Sequence, residues 1–208
     1  NLRIMDSNMI KVVGCSFFNS TYESLQSDQS DNCIFRNNVY YNSDTGLSLG
    51  YCSNNTVKDS ISYNNDNGLG LYTVQDSVIS NFTIYSNSKG INEENCGNVK
   101  INYSRIYGND IGIQIDFNGV PGSIGNYTMY NNIFNNSVNI YFSRGDPSGY
   151  LPNRFNTTNQ TGSRIYSEGN YIGGNFYDNF SNPGTGFSYT CDDDDHDEGD
   201  KDPGRQDA

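Results

Sequence analysis

Aspartate and glutamate are the residues best able to perform chemistry in this chain, and they are concentrated near its C-terminal end. Residues 191–208 read CDDDDHDEGDKDPGRQDA and hold nine acidic side chains against Lys201 and Arg205. Calcium loops place oxygen ligands at alternating positions and a glycine sixth, but counting from Asp193 the sixth residue is Glu198. The segment is therefore either a calcium site or a solvated acidic tail. The candidate ligands are Asp193, Asp195, Asp197, Asp200 and Asp202.

A second pair of carboxylates recurs inside the chain. Asp44 and Asp66 lie 22 residues apart, and each precedes a glycine by two residues. Aspartate at this place favours an Asx turn, with a calcium site and catalysis as alternatives. Hydrolysis of acidic polysaccharides would also call for histidine and basic residues in fixed motifs, and the only histidine is His196 in the tail. We therefore predict no catalytic residue and a non-enzymatic protein, with a polysaccharide lyase or hydrolase as the alternative.

The stretch Gly68-Leu69-Gly70 resembles the start of a phosphate-binding glycine loop. A dinucleotide fingerprint needs a third glycine where Thr73 stands, and no helical periodicity follows. The stretch is instead one copy of a repeat with a strict step of 22 residues. The aligned glycines are Gly46, Gly68, Gly90 and Gly112.

Other columns obey the same step and predict the architecture. They are Tyr41, Tyr63, Tyr85 and Tyr107; Leu47, Leu69, Ile91 and Ile113; Phe35, Val57, Ile79 and Ile101; and Asn65, Asn87 and Asn109. Short runs of alternating apolar residues between Asn, Asp and Gly are typical of strands and turns, and do not fit a leucine-rich repeat with a helical back. We predict an all-β, single-stranded, right-handed parallel β-helix with about 22 residues per coil and an irregular C-terminal cap.

Each column then has an expected role. The apolar columns pack inward, coil upon coil, and the tyrosines stack ring on ring. The asparagines form a ladder of amide hydrogen bonds. The glycines are expected to occupy turns that need a positive φ.

Composition excludes several classes of function. The formal net charge is −12 and the 12 Lys and Arg residues are scattered, so the basic stripe needed for nucleic acid or anionic membranes is missing. No apolar run approaches 18 residues, so neither a membrane span nor a signal peptide is predicted. We interpret the chain as a mature or partial form of a longer precursor.

The five cysteines do not predict a disulfide framework. Cys52 and Cys96 lie two periods apart with Val74 between them, too far for a bond and typical of small core residues. Cys15 and Cys33 could pair if the first coils are irregular, but an odd count leaves a thiol unpaired.

Sequons of the form Asn-x-Ser/Thr are numerous. In so asparagine-rich a chain some arise by chance, and the alternative is that they serve only as ladder and turn residues. Their context predicts N-linked glycans on some of them. The candidates are Asn19, Asn54, Asn81, Asn102, Asn126, Asn135, Asn156, Asn159 and Asn179.

Changes of pattern divide the chain into three parts. We predict β-helix coils over 1–152, with a protruding loop at 143–153, a C-terminal cap over 153–190 and the acidic tail over 191–208. The Asn/Gly/Tyr coils, followed by NRFNTT at 153–158 and YIGGNFYD at 171–178, resemble archaeal secreted surface proteins of the β-helix repeat type. These are often labelled as similar to the periplasmic copper-binding accessory protein of nitrous oxide reduction. One histidine with Met5, Met9 and Met129 does not supply the soft ligands of a copper site.

The resemblance implies an extracellular or cell-surface location. We predict a structural subunit of an archaeal filament or envelope layer that self-associates through the ends of its solenoid, carries glycans, and has calcium as its only candidate cofactor. The alternative is a carbohydrate-binding or polysaccharide-degrading β-helix with polysaccharide as its partner, using the tyrosine column and the 143–153 loop as its groove. A viral fibre is a third alternative.

Overall fold

The computed structural model describes residues 1–116, 125–144, 153–158 and 160–177. In these residues it contains twenty short strands and no helix, so nothing there could cross a membrane as a helix. The strands are β1 Leu2–Met5, β2 Lys11–Val13, β3 Ser16–Phe18, β4 Glu23–Asp28, β5 Ile34–Arg36, β6 Val39–Tyr41, β7 Thr45–Gly50, β8 Thr56–Tyr63, β9 Asn67–Tyr72, β10 Val78–Tyr85, β11 Lys89–Glu94, β12 Lys100–Asn102, β13 Arg105–Tyr107, β14 Ile111–Asp116, β15 Thr128–Tyr130, β16 Ile133–Asn135, β17 Val138–Arg144, β18 Gln160–Thr161, β19 Tyr171–Ile172 and β20 Phe176–Tyr177.

Two parallel sheets form the walls of the solenoid. The first has seven strands in the order β1-β4-β7-β9-β11-β14-β17, and we call it the front sheet. The second follows β2-β5-β8-β10-β13-β16-β20, with β3, β6, β12 and β15 paired alongside, while β18 and β19 form a separate antiparallel pair. Register steps such as Leu47 to Leu69 and Leu69 to Ile91 equal 22 residues. This confirms the predicted parallel β-helix and its period. Because β20 pairs with β16, the region expected to be a cap continues the second sheet.

The inward columns form one continuous apolar core. Leu47, Leu69, Ile91 and Ile113 are completely buried, as are Phe35, Ile79 and Ile101 of the opposite sheet. Each of these residues packs on the equivalent residue of the next coil, since strands in a ladder lie only about 4.8 Å apart. The core is thus built by repetition, and each coil depends on its two neighbours.

The repeated glycines have a different role from the one expected. Gly46, Gly68, Gly90 and Gly112 lie inside strands, and the glycines with positive φ are others. A Cβ added at Gly68 would lie 2.7 Å from the carbonyl oxygen of Gly90, and the other three meet the next coil equally closely. The turn prediction is therefore wrong, because what the position requires is the absence of a side chain where two coils touch.

The corners are formed instead by single residues in the left-handed region. Asparagine and aspartate tolerate this conformation better than most residues because their short polar side chains bond locally. The corner residues recur at the coil period in four columns: Gln29, Tyr51, Thr73 and Asn95; Asn32, Asn54, Asp76 and Asn98; Asn37, Asp59 and Asn81; and Asn42, Asn64 and Ser86.

The predicted asparagine ladder is confirmed. The backbone N–H of Asn65 donates to Oδ1 of Asn87, and that of Asn87 donates to Oδ1 of Asn109, each at 2.9 Å. The ladder continues through Asn136, whose Oδ1 accepts from the Asn109 N–H at 3.1 Å. These side chains are buried, so each hydrogen bond satisfies a donor that water cannot reach. The ladder therefore fixes the register between coils.

The predicted tyrosine stack is also confirmed. Tyr41, Tyr63, Tyr85 and Tyr107 stack with ring centroids 5.1 to 5.3 Å apart and rings within 9° of parallel, and Phe18 extends the stack by one coil. Each inner ring has a neighbour on both faces. A sugar ring can reach only the ring edges along most of the stack, so its main role is packing between coils.

Candidate functional site

A groove on the outer surface of the front sheet has the shape and the side chains of a binding site. Its volume is about 380 Å³. We call it the acidic groove, because its lining combines four carboxylates with two tyrosines and small polar residues. The residues that define it are Glu23, Asp28, Asp44, Tyr51, Tyr72 and Glu94.

The columns of the front sheet explain why the groove lies here. In one outward column Asp28, Gly50, Tyr72 and Glu94 stand in register, and in the next column Gln26 aligns with Ser48, Gly70 and Asn92. Gly50 and its neighbour Ser48 are small and lie between longer side chains, so they form a floor between two walls. The carboxylate of Asp28 reaches over Gly50, with Oδ1 2.7 Å from where a Cβ would be.

Tyr72 lies flat on the sheet within this groove. A Cβ on Gly70 would meet the Tyr72 ring at 2.7 Å and its hydroxyl at 3.0 Å, so the ring covers the outward side of Gly70. The Tyr72 hydroxyl accepts a long hydrogen bond of 3.5 Å from Nδ2 of Asn92. Tyr72 is half-buried, so the side of its ring away from the sheet provides an apolar platform. Unlike the rings of the stacked column, this one has no ring stacked upon it among the described residues.

The surroundings of the groove raise the pKa values of two of its side chains, Asp44 and Tyr72. The pKa of the Asp44 carboxyl is raised, first by its partial desolvation and then by its hydrogen bond to Asp66 and the charges of Asp66 and Glu23. Burial likewise raises the pKa of the Tyr72 phenol, which the nearby carboxylates reinforce. Asp44 therefore holds a proton to a higher pH than an ordinary aspartate, and Tyr72 remains a hydroxyl donor.

Asp44 stands between the acidic groove and a second, shallower groove of about 750 Å³ along the turns, which we call the turn groove. Asp66 and Asp110 lie in the turn groove on the same column, with Ser88 between them. Among the described residues no backbone N–H donates to the carboxylate of Asp44 or Asp66. Both residues lie in the bends before β7 and β9, as expected, but the side-chain hydrogen bond of an Asx turn is not formed at either of them.

The other predicted site residues have different positions. Asn19, Asn54, Asn81 and Asn135 are exposed, while Asn126 and Asn156 are partly buried. Asn102 is buried, and its Nδ2 donates to the Tyr130 hydroxyl at 2.9 Å, which conflicts with a glycan at that position. Asn159 and Asn179 lie outside the described residues, as do the five tail aspartates proposed to bind calcium and residues 145–152 of the predicted loop. Glycosylation of the remaining sequons and calcium binding by the tail stay predictions.

Three of the four cysteines in the described residues are core residues. Cys33, Cys52 and Cys96 are buried, and Cys15 is exposed. All four are free thiols, so the proposed pairing of Cys15 with Cys33 does not form.

The acidic groove could not be predicted from the inward columns, which carry the repeat. The stacked tyrosines, predicted as the alternative sugar site, have their faces occupied by one another. A signal for the groove was nonetheless present: Ser48, Gly50 and Gly70 are small residues at outward positions, and acidic residues stand at matching positions of the adjacent coils. Small residues at outward positions, flanked by acidic residues on the adjacent coils, indicate a groove with the small residues at its base.

Comparison with known proteins gives one family and a set of similar structures. The sequence model of the family described as periplasmic copper-binding protein (NosD) matches residues 1–182. No curated protein matches.

Several solved structures are similar to this chain. A single mutant of the periplasmic alginate epimerase AlgG is 19% identical with a TM-score of 0.57, covering 70% of this chain and 36% of that one. An AlgG double mutant is 19% identical with a TM-score of 0.53, covering 70% of this chain and 39% of that one. The A-module of the mannuronan C-5 epimerase AlgE6 from Azotobacter vinelandii is 14% identical with a TM-score of 0.45, covering 73% of this chain and 57% of that one. The chain thus spans less than two thirds of the length of each of these structures.

These findings correct the non-enzymatic prediction. The similar solved structures are alginate-modifying enzymes, which contradicts the interpretation of this solenoid as a protein without activity. The comparisons do not support the structural filament subunit. At 19% identity the likeness itself establishes the fold, and the archaeal source and self-association stay predictions.

The described residues do not fit a copper centre. Copper in proteins is bound by converging histidine, cysteine and methionine ligands. The three buried thiols belong to different turns of the chain, with Cys33 and Cys96 each donating to a backbone carbonyl at 3.3 Å, and Met9 is exposed. Within the part of the chain that the structure describes, no three His, Cys, Asp or Glu side chains are grouped to hold a metal.

Proposed function

Because this chain belongs to the family of the periplasmic copper-binding protein NosD, we propose that it is an exported β-helix protein that binds a polysaccharide along the acidic groove and acts on it there. The observation that carries the proposal is the Tyr72 ring, flat on the sheet beside the carboxylates of the groove. The location of the NosD family and the activity of AlgG, as their names state them, support export and carbohydrate chemistry.

The side chains of the groove match the two surfaces of a sugar. A pyranose has an apolar face of C–H groups, which an aromatic platform such as Tyr72 can cover. Its rim consists of hydroxyl groups, which donate to carboxylates and exchange hydrogen bonds with amides and hydroxyls. Asp28, Glu94 and Asn67 supply such groups around the platform.

The Asp44–Asp66 pair supplies acid–base chemistry at the margin of the groove. Partial desolvation raises the pKa of Asp44, and the neighbouring carboxyl of Asp66 on the next coil raises it further. Asp44 therefore keeps a proton that it can donate at a higher pH than an ordinary aspartate does. In this proposal Asp44, which faces the acidic groove, donates its proton to the glycosidic oxygen as the bond from that oxygen to the anomeric carbon breaks. A water molecule adds to the anomeric carbon, and the carboxylate of Asp66 accepts the proton that this water releases.

Replacing Tyr72 with alanine should weaken oligosaccharide binding by about tenfold, since an aromatic contact contributes roughly 1 kcal/mol beyond its buried area. Binding can be measured by isothermal titration calorimetry with a panel of oligosaccharides. Tyr171→Ala is the control, because Tyr171 is an exposed tyrosine outside the groove. Equal affinities for wild-type protein and Tyr72→Ala, with circular dichroism unchanged, would remove the groove from the proposal.

Replacing Asp44 with asparagine should abolish release of new sugar ends while leaving binding within about twofold, because the amide keeps the shape and loses the acid. Release can be followed by chromatography of the products. Asp110→Asn is the matched control, since Asp110 lies on the same column but has Ser88 instead of an acidic neighbour in the preceding coil. Full activity in Asp44→Asn would show that Asp44 is not the proton donor.

A further inference from the structure

The charge of the acidic groove points to the kind of polysaccharide it accepts. We propose that its ligand is a glycan carrying protonated amines, an amino-sugar polymer, and not a polyuronate. This inference rests on the proposed function above. Four carboxylates line the groove at Glu23, Asp28, Asp44 and Glu94, and no Lys or Arg among the described residues does so.

A polyuronate is the poor match electrostatically. Every residue of such a polymer brings one carboxylate, and like charges at a few ångströms repel by on the order of 1 kcal/mol per pair even near water. The nearest basic residues along the front sheet are Arg3 and Lys89, in register with Gln26 and Asn67. Gln26 and Asn67 line the groove, but Arg3 and Lys89 lie one coil away from them and do not line it.

A bridging metal does not relieve this repulsion. A divalent cation could join a sugar carboxylate to the protein only where several protein ligands converge. In the described part of the chain no group of three acidic, histidine or cysteine side chains is arranged to hold one. The carboxylates of the groove lie spread along it, so they suit several separate positive charges better than one ion.

The groove is more than a solvated acidic surface, because its aromatic floor can hold a ring in place. Tyr72 covers Gly70 and keeps its phenol protonated, so the platform itself is neutral. An ammonium group near a tyrosine face also gains from the ring quadrupole. Asp28 and Glu94 occupy the same column three coils apart, roughly 14 Å at the usual strand spacing. This span allows separate ammonium groups on one oligosaccharide to reach both carboxylates.

The test compares three hexasaccharides by titration calorimetry on the full chain. They are β-1,4-linked glucosamine, its fully N-acetylated counterpart, and β-1,4-linked mannuronate. The glucosamine oligomer should bind at least about fivefold more tightly than the N-acetylated one and more tightly still than mannuronate, and the advantage should shrink as salt is raised. Mannuronate binding equal to or tighter than glucosamine would overturn this inference and leave the proposed function standing. Absence of binding by all three would remove both.

A pair of variants separates charge from shape. Asp28→Asn with Glu94→Gln should lower affinity for the glucosamine oligomer by about tenfold and leave the N-acetylated oligomer within about twofold. The matched control is Asp59→Asn with Glu168→Gln, which removes the same two charges from exposed positions outside the groove. Equal losses in the two double variants would show that net charge alone attracts the amine, and would overturn the assignment to this groove.

Discussion

Replacing Glu93 with leucine should stabilise this protein by about 3–5 kcal/mol at pH 9 and by much less at pH 4. Glu93 is completely buried in an inward column, where its partners in the adjacent coils are Leu71 and Ile115. Neither carboxyl oxygen accepts a well-aligned hydrogen bond, and the nearby Tyr127 hydroxyl donates to the carbonyl oxygen of Cys96 at 2.9 Å. Leucine would continue the column and remove an acid that has no adequate partner.

The pH dependence follows from the pKa of the same side chain. Burial raises the pKa of Glu93 from 4.5 to about 8, although the Tyr127 hydroxyl partly offsets this. The folded state therefore holds a proton that the unfolded state releases above pH 4.5. Stability is greatest below that pH, falls as pH rises towards 8, and levels off above it.

Chemical denaturation at pH 4, 6, 8 and 9 would measure the effect. Glu93→Gln is the second variant, because glutamine cannot ionise but keeps a polar group in the core. It should remove the pH dependence of the free energy of unfolding and stabilise the protein less than leucine does. A Glu93→Leu profile with the same pH slope as the wild-type protein would show that another group titrates.

Replacing Gly68 with alanine should destabilise the protein by about 3 kcal/mol or prevent folding. The new Cβ would lie 2.7 Å from the carbonyl oxygen of Gly90 and 2.7 Å from a methyl group of Ile84. The carbonyl belongs to the backbone of the next coil, which the strand ladder and the asparagine ladder hold in place. The two coils would have to separate to admit one methyl group.

Gly70→Ala is the matched control two residues away in the same strand. Its Cβ would meet only the far end of the Tyr72 side chain, which can rotate away. We expect a change within about 1 kcal/mol, because the backbone need not move. Thermal unfolding followed by circular dichroism distinguishes the two variants. Similar midpoints would mean that the coils are more loosely packed than these distances require.

Gly70→Ala also tests whether the position of the Tyr72 ring is needed for sugar binding. Displacing the Tyr72 ring removes the platform without removing the ring, so this variant should bind sugar as weakly as Tyr72→Ala while remaining folded.

The fold could be predicted from the sequence because its columns repeat. A step of 22 residues places Tyr63 on Tyr41 and Asn87 on Asn65, and both columns have the predicted contacts. Translational repetition converts spacing along the chain directly into contact between coils.

Local conformation was harder to predict, and the glycines show why. Positive φ and lack of space both select glycine, and the residue type alone does not separate the two causes. In this chain Asn42 and Asn64 carry the positive φ, while Gly46 and Gly68 lie where coils touch.

The candidate site could not be predicted from the repeat, because it lies where the outward residues depart from the repeat. Tyr72 replaces Gly50 on an outward column, and Gly70 replaces Ser48 beside it. Within a single column such replacements resemble ordinary sequence variation. The groove that they form is recognised only when the side chains of neighbouring coils are compared in the folded protein.

The tyrosine stack gives the protein a built-in optical reporter. The chain contains no tryptophan, so tyrosine emission is not lost by transfer to an indole. Four phenol rings about 5 Å apart and nearly parallel couple their electronic transitions, as isolated rings in an unfolded chain would not. The near-ultraviolet circular dichroism of these rings therefore reports the alignment of successive coils without any label.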